Sequence, residues 1–217
     1  MHNTVKNLIY IEDLIKSKVK DNKIPKIIAV SKTFPIENIL PLIEHGHLHY
    51  GENKVQEATI KWSDIKKQND KIKLHLIGGL QTNKVKFALK IFDYIHSLDS
   101  EKLAIKISDE QTKQGKKPKI FIQVNIGHEE QKSGVDKKRV IDFYEFCKKN
   151  LNLNIIGTMC IPPNYRDAKN YFSKMNIINK ELNLKELSMG MSDDYIQAMQ
   201  NNSTYVRIGS KIFGSRN

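Results

Sequence analysis

The chain has 217 residues, enough for one α/β barrel with a substantial core. It has no Pro/Gly/Ser-rich linker, so we expect a single domain spanning residues 1–217. Its 36 basic and 24 acidic residues give a formal net charge of +12. The lysines are scattered over the predicted helices, without an arginine-rich run or an aromatic RNA-binding motif. We therefore expect no nucleic-acid partner, and keep a nucleic-acid-binding protein as an alternative.

Three further functional classes lack support. No apolar stretch approaches the roughly 18 residues of a membrane span, and the N-terminus lacks a signal-peptide segment, so we expect a cytoplasmic protein with no membrane partner. Cys147 and Cys160 lie in apolar patterns, which predicts buried thiols rather than a disulfide or metal ligands. His45, His47 and His49 alternate, but no nearby carboxylate or cysteine completes a ligand set, so no metal site is predicted.

The order of predicted elements indicates the fold. An amphipathic helix at 4–19 opens the chain, and we expect segment 1–22 to pack on the domain. Strands are then predicted at 27–31, 47–50, 72–77, 94–97, 119–125, 154–159, 185–188 and 204–208. Helices are predicted at 36–45, 53–68, 82–91, 100–114, 136–149, 165–182 and 193–200, with a short one after 210. Eight strand–helix units predict an α/β fold with a parallel sheet that closes into a single (β/α)8, TIM-like barrel.

Polar residues collect at the C-terminal ends of these strands, which share one rim of a barrel. Lys32 follows the first strand, where a lysine either extends to water or is held for chemistry. A partly desolvated amine there can form a Schiff base with an aldehyde. Other strands end near Gly51-Glu52-Asn53, 78–84, Asn125, Met159, 188–192 and 207–210. Asn53 and Met159 are therefore further candidate ligand-binding residues, and His75, within the third predicted strand, is also a candidate.

The two turns near the end of the chain predict a phosphate site. Barrels often bind phosphate between the loops after the seventh and eighth strands, at the N-terminus of a short helix. Gly190-Met191-Ser192 and Gly209-Ser210 each provide a glycine for close approach and a hydroxyl that can bond a phosphate oxygen. The alternative is that both serines are ordinary helix N-caps.

Arg207 completes the predicted site. It alternates with Tyr205 along the eighth strand and so should point into the barrel mouth, near Lys32. A buried guanidinium needs a partner, either a carboxylate such as Glu52 or an acceptor on a ligand. Lysine, phosphate loops and arginine together predict a site for a phosphorylated aldehyde whose ring carries an acceptor.

Several long motifs resemble the pyridoxal 5′-phosphate (PLP) homeostasis proteins, from about residue 27 to the C-terminus. They are Ala29-Val30-Ser31-Lys32-Thr33, residues 50–57, residues 75–84, Val124-Asn125-Ile126 through Lys132-Ser133-Gly134, residues 187–192, Val206-Arg207-Ile208-Gly209 and Ile212-Phe213-Gly214. The resemblance implies a barrel similar to the N-terminal domain of alanine racemase, with PLP carried by Lys32 as an internal aldimine. It also implies phosphate contacts around Ser192, Gly209 and Ser210, and Arg207 facing the pyridine nitrogen.

Arg207 also bears on catalysis. An arginine does not give up its proton, so a pyridine nitrogen bonded to it is an unprotonated acceptor and the ring is a weak electron sink. Racemisation would need a second base, which alanine racemases take from an added β-domain that this chain has no length to encode. We therefore expect no catalytic residue and a role in PLP homeostasis and delivery, with a monomer serving PLP-dependent apoenzymes. A single-domain racemase is the alternative, and the 127–134 loop is a candidate lid.

Overall fold

A closed barrel of parallel strands forms the centre of the protein. The computed structural model describes residues 1–19, 24–127, 129, 133–163 and 168–215. The strands in this part of the chain are β1 (Lys26–Val30), β2 (His49–Glu52), β3 (Lys73–Leu76), β4 (Tyr94–Leu98), β5 (Lys119–Asn125), β6 (Val135–Asp136), β7 (Ile155–Met159), β8 (Glu186–Met191) and β9 (Tyr205–Ile208). Their order is β4-β3-β2-β1-β9-β8-β7-β5, and β4 pairs with β5 to close the ring. The predicted (β/α)8 barrel is confirmed, and the short β6 adds only to β5.

Helices surround the ring. They are α1 (Asn3–Lys18), α2 (Leu40–Glu44), α3 (Val55–Gln68), α4 (Val85–Ile91), α5 (Glu101–Gln114), α6 (Val140–Glu145), α7 (Ala168–Glu181), α8 (Tyr195–Gln200) and α9 (Ser210–Phe213). Short 3-10 turns occupy Ile36–Asn38, Thr82–Lys84 and Lys137–Arg139, and a π turn occupies Phe146–Asn150. None of the helices in the described ranges has both the length and the hydrophobicity that crossing a bilayer requires.

Two apolar layers follow from the alternation of side chains along each strand. Ile27 and Ala29 of β1 belong to the large cluster between sheet and helices, whereas Ile28 points into the ring. The inner apolar cluster is small and consists of Ile28, Tyr94, Phe121, Met159 and Tyr205. Most of the apolar burial is therefore outside the ring, and much of the interior is left to polar side chains.

The N-terminal helix packs on the end of the chain. Leu8, Ile11 and Ile15 of α1 are fully or almost fully buried. The Asn7 amide donates a hydrogen bond to the Ile212 carbonyl of α9 at 3.0 Å. The predicted helix is thus found at Asn3–Lys18, while residues 20–22 of the predicted segment lie outside the described residues.

Several predicted boundaries were wrong. The predicted helix 36–45 is a 3-10 turn followed by the short α2, where Pro41 is tolerated because it lies in the first turn. The seventh predicted strand, 185–188, continues to Met191. The predicted strand 47–50 is found at His49–Glu52. The predicted helix 136–149 is divided into the end of β6, a 3-10 turn, α6 and a π turn. The first residues of the predicted helix 165–182 lie outside the described ranges.

Candidate functional site

Lys32 lies just beyond β1, between two anchored neighbours. The Ser31 N–H donates to the Gly51 carbonyl at 3.0 Å, and the Thr33 N–H donates to Glu57 Oε1 at 2.7 Å. Thr33 has a φ of 68°, which is uncommon for a β-branched residue and costs energy. Lys32 itself is half-buried. The backbone around this lysine is therefore held in one position at the mouth of the barrel.

A buried carboxylate secures the same strand end. Glu52 is 0% exposed, and its Oε1 accepts hydrogen bonds from Ser31 Oγ at 2.8 Å, Lys61 Nζ at 3.0 Å and Trp62 Nε1 at 3.0 Å. The Lys61 ammonium also donates to the Ser31 carbonyl at 2.9 Å. Glu52 thus ties the end of β2 to α3 and to Ser31, the residue before Lys32.

Of the two partners considered for Arg207, a carboxylate such as Glu52 or a ligand acceptor, Glu52 is not a partner in the structure. Glu52 has the same strand parity as Tyr50, which belongs to the outer cluster, whereas Arg207 shares the inner face with Tyr205. Arg207 is 4% exposed and donates to Ser188 Oγ at 2.8 Å and to the Cys160 carbonyl at 2.9 Å. Both acceptors are neutral. Burial lowers the pKa of the guanidinium.

The loops after β8 and β9 lie against each other, as predicted for a phosphate site. The Gly209 N–H donates to Ser192 Oγ at 3.3 Å and so joins the two loops. Ser210 is exposed at the start of α9, whose N-cap is Gly209, and the N-cap of α8 is Asp194. Neither serine is the N-cap of these helices, so the alternative of ordinary serine N-caps is wrong.

A glycine sets the approach of α8 to these loops. Gly190 has a φ of +91°, and a Cβ there would lie 2.5 Å from the Ala198 Cβ and 3.0 Å from the Tyr195 Cα. Since only glycine fits this close contact, α8 packs tightly against β8. Asp194, at the start of α8, accepts the Met191 N–H through Oδ1, and burial raises its pKa.

The other candidate residues divide into two groups. Asn53, just after β2, is half-buried, and its backbone carbonyl oxygen packs so close to Gly78 that a Cβ on Gly78 would lie 2.5 Å from it. Met159 is buried among the inner apolar side chains. His75 is fully buried, and each of its ring nitrogens is hydrogen-bonded to another histidine. Neither ring nitrogen is therefore available to contact a ligand directly. Of the candidate lid, residues 128 and 130–132 lie outside the described residues.

Sequence reasoning missed the partners of His75. His49 Nδ1 and His75 Nε2 are 2.9 Å apart, His75 Nδ1 and His96 Nε2 are 2.9 Å apart, and His96 Nδ1 lies 2.9 Å from Ser188 Oγ. The signal was present, because each residue occupies an inward position on its strand. In the described ranges no group of three or more metal-ligating side chains gathers as an ion site. Cys147 and Cys160 are free and buried, as predicted, and burial raises the pKa of each thiol to about 12.

Basic side chains gather at the opposite end of the barrel. A cleft of about 430 Å³ beside the starts of β3 and β5 is lined by Asp93 and Tyr94 and by the lysines Lys66, Lys73, Lys90, Lys116, Lys117 and Lys119. Lys66 Nζ contacts Asp93 Oδ2 at 2.6 Å. Part of the positive charge is thus concentrated away from the mouth, in a feature that we call the lysine cleft.

Known proteins are similar to this chain in both sequence and fold. Residues 13–217 match the family model described as "Alanine racemase, N-terminal domain". The pyridoxal phosphate homeostasis protein of Aquifex aeolicus is 38% identical over 200 residues, or 88% of this chain and 87% of that protein. The structure of PipY from Synechococcus elongatus PCC7942 with PLP bound is 30% identical, with a TM-score of 0.86, over 97% of this chain and 100% of that one.

An alanine racemase from Clostridium difficile 630 shares the fold at a TM-score of 0.74 and 14% identity, covering 99% of this chain but 57% of the racemase. The long matches to the homeostasis proteins agree with the motifs quoted above, and the resemblance is confirmed. The chain belongs to the pyridoxal phosphate homeostasis proteins, within the family described as alanine racemase, N-terminal domain.

Proposed function

We propose that the protein binds pyridoxal 5′-phosphate in the barrel mouth and serves its homeostasis and delivery, without strong catalysis of its own. Arg207 carries this proposal. It is a buried cation at the mouth whose two hydrogen bonds go to neutral acceptors, so it has N–H groups left to offer a ligand. PLP supplies an aldehyde that condenses with a lysine amine, and we assign that amine to Lys32.

The residues around Arg207 fit the rest of this ligand. Ser192 and Gly209 already meet through a hydrogen bond, and Ser210 adds a hydroxyl beside them, which suits a phosphate group. Asn53 and Met159 remain candidate contacts to the ring. The carboxylate Glu52 faces the outer layer, so it supports the Lys32 strand end and leaves Arg207 to the ligand.

The chemistry of Arg207 argues for binding rather than turnover. An arginine donates a hydrogen bond to the pyridine nitrogen without protonating it, and this weakens the ring as an electron sink. The relatives that match over most of the chain are named as homeostasis proteins. The racemase alternative would be supported by exchange of the α-hydrogen of alanine in deuterated water, dependent on Lys32, above the rate with free PLP.

Attachment is tested by spectroscopy with a matched control. Lys26 and Lys32 lie at opposite ends of β1, and Lys26 Nζ bonds Tyr205 Oη at 3.1 Å. Lys32→Ala should abolish the visible absorption of protein incubated with PLP and the adduct trapped by borohydride, whereas Lys26→Ala should retain both. An adduct that persists on another residue of Lys32→Ala would refute the assignment.

The phosphate site has its own test. Ser192→Ala and Ser210→Ala together should weaken binding of PLP by about tenfold or more, since each charge-assisted bond contributes roughly 1.5–3 kcal/mol. Binding of pyridoxal, which has no phosphate, should change little. Equal losses for both ligands would place the phosphate elsewhere.

We further propose that the protein is a cytoplasmic monomer that passes PLP to PLP-dependent apoenzymes and binds neither nucleic acid nor membranes. Transfer is tested by adding the loaded protein to an apoenzyme with a trap for free PLP present. Activation despite the trap supports direct delivery, and its absence argues for simple buffering. Binding to DNA or RNA that falls steeply with salt would revive the nucleic-acid alternative.

A further inference from the structure

Four polar side chains form a continuous chain of hydrogen bonds across the interior of the barrel. They are His49 on β2, His75 on β3, His96 on β4 and Ser188 on β8, and we call them the histidine relay. Successive members are 2.9 Å apart, and Arg207 Nη1 lies 2.8 Å from Ser188 Oγ at the end of the chain. The chain therefore joins the start of β2 to the arginine assigned to the cofactor.

Arg207 and the hydroxyl proton of Ser188 together set the direction of the bonds in this chain. A guanidinium only donates, so Ser188 Oγ must accept from Arg207. The other polar contact of Ser188 Oγ is with His96 Nδ1. If His96 Nδ1 also donated to it, the buried hydroxyl proton would be left without an acceptor, so the Ser188 hydroxyl donates to His96 Nδ1 and the His96 proton is on Nε2. His96 donates to His75 Nδ1 in turn, and His75 donates from Nε2 to His49 Nδ1. One tautomer, with the proton on Nε2, is thus assigned to all three rings.

The surroundings keep the rings neutral and oriented. His75 and His96 are fully buried, and burial lowers the pKa of both well below the ordinary value. Burial also lowers the pKa of His49 to about 4, with nearby cationic side chains adding to the effect. The His75 ring stacks on Tyr94 at 4.1 Å between centroids, and the His96 ring stacks on Phe121 at 4.2 Å. Neither ring can turn freely.

The relay does not suit proton transport to a ligand. A proton passed along it would stop at Arg207, because that side chain has no acceptor and does not release its own protons. The chain instead keeps one Ser188 lone pair directed at Arg207, because the Ser188 proton is committed to His96. The bond from Arg207 to the Cys160 carbonyl holds the other side of the guanidinium.

We propose that His96, backed by His75 and His49, is a positioning residue that acts through Ser188 to hold Arg207 in the pose in which it meets the pyridine ring. The part of this inference that concerns the ring rests on the proposed function. The order of the hydrogen bonds does not, because it follows from the chain's own residues.

The bond order is tested without any cofactor. Nitrogen-15 NMR correlation spectra distinguish the two neutral tautomers and the charged form of each histidine ring. In wild-type protein free of PLP at neutral pH, His49, His75 and His96 should each carry their proton on Nε2. A proton on Nδ1 of His75 or His96, or a charged ring at either position, would overturn the proposal.

A matched pair of variants tests the effect on Arg207. In His96→Asn the side-chain oxygen can replace Nδ1 as the acceptor for Ser188, whereas in His96→Gln the amide nitrogen can replace Nε2 as the donor to His75. Both variants remove ring volume next to Phe121. Solvent exchange of the Arg207 Nη protons should accelerate about five- to tenfold in His96→Gln, as expected for the loss of one neutral hydrogen bond, and stay within about twofold in His96→Asn.

Equal exchange rates in the two variants would refute a positioning role, since a purely structural role predicts similar damage in both. The affinity for PLP should follow the same order, with His96→Gln the weaker binder. If the histidine tautomers and the Arg207 Nη exchange rates are as expected but the protein does not bind PLP, the histidine relay stands and the proposed function is refuted.

Discussion

Glu52→Gln tests how the lysine at the mouth is supported. The Glu52 carboxylate is fully buried and accepts from Ser31, Lys61 and Trp62 through a single oxygen. The other oxygen, Oε2, is buried and has no hydrogen-bond partner among the described residues. In Glu52→Gln the side-chain NH₂ group replaces one of these two oxygens. It occupies either the unpaired Oε2 position or the Oε1 position, where it would face three hydrogen-bond donors. In both cases the charge that Lys61 faces is lost.

The expected cost follows from these contacts. Breaking a buried ion pair by removing one charge typically costs about 3–5 kcal/mol. Lys61 keeps its bonds to the Ser31 carbonyl and to Glu57 Oε1, and its side chain is 10% exposed, so the lower end of that range applies. We expect Glu52→Gln to lose about 3 kcal/mol of unfolding free energy.

Urea unfolding measures this loss. With a slope of about 3 kcal/mol per molar, the unfolding midpoint should fall by about 1 M. Asp64→Asn is the matched control, because its pair with Lys67 is 2.8 Å long but both side chains are exposed, and its unfolding midpoint should stay close to that of the wild type. A Glu52→Gln midpoint equal to that of Asp64→Asn would refute the inference that this carboxylate anchors the strand end.

Three further predictions concern other parts of the barrel. Burial lowers the His47 pKa from 6.5 to about 4, so this histidine takes up a proton on unfolding below pH 6.5. The stability of the wild type relative to His47→Gln should therefore be constant above pH 6.5 and fall by up to about 3 kcal/mol towards pH 4, as measured by unfolding at a series of pH values. Gly190→Ala should strain the contact with Ala198 and lower both the melting temperature and PLP affinity. Lys90→Gln in the lysine cleft should raise stability by a few tenths of a kcal/mol at low salt, through reduced repulsion.

Each of these has a contrary outcome. Parallel pH curves for wild type and His47→Gln would mean that this histidine titrates normally in the folded protein. A Gly190→Ala protein with unchanged melting temperature and affinity would show that α8 shifts without consequence. A stability gain in Lys90→Gln that persists at 1 M salt, where the Debye length is about 3 Å, would point to a cause other than charge repulsion.

The sequence was sufficient for the features that depend on periodicity. Alternation along the eighth predicted strand, β9, placed Tyr205 on the inward face with Arg207, and Tyr205 is found in the inner cluster. The same rule, applied to β2, would have put Glu52 outside beside Tyr50. The Glu52 alternative for Arg207 conflicts with this alternation, because complementary charge does not determine which face of a strand a side chain occupies.

Long-range partners inside the ring were harder to predict. His96 and Ser188 are 92 positions apart in sequence and lie on strands that are not neighbours, so no local pattern joins them. The extension of β8 to Met191 was likewise hidden, because Gly190, with a φ of +91°, reads as a turn. In the structure this glycine allows α8 to approach the strand.

The division of the barrel into two layers explains how its interior can be so polar. Among the described residues, the large cluster between sheet and helices holds most of the buried apolar side chains, whereas the inner cluster has five buried members, from Ile28 to Tyr205. Since apolar burial drives folding in proportion to its area, the outer layer carries most of that contribution. The ring can then hold three neutral histidines and a buried arginine, provided that each is hydrogen-bonded. Polar satisfaction of the interior and orientation of Arg207 are thus two consequences of one chain of contacts.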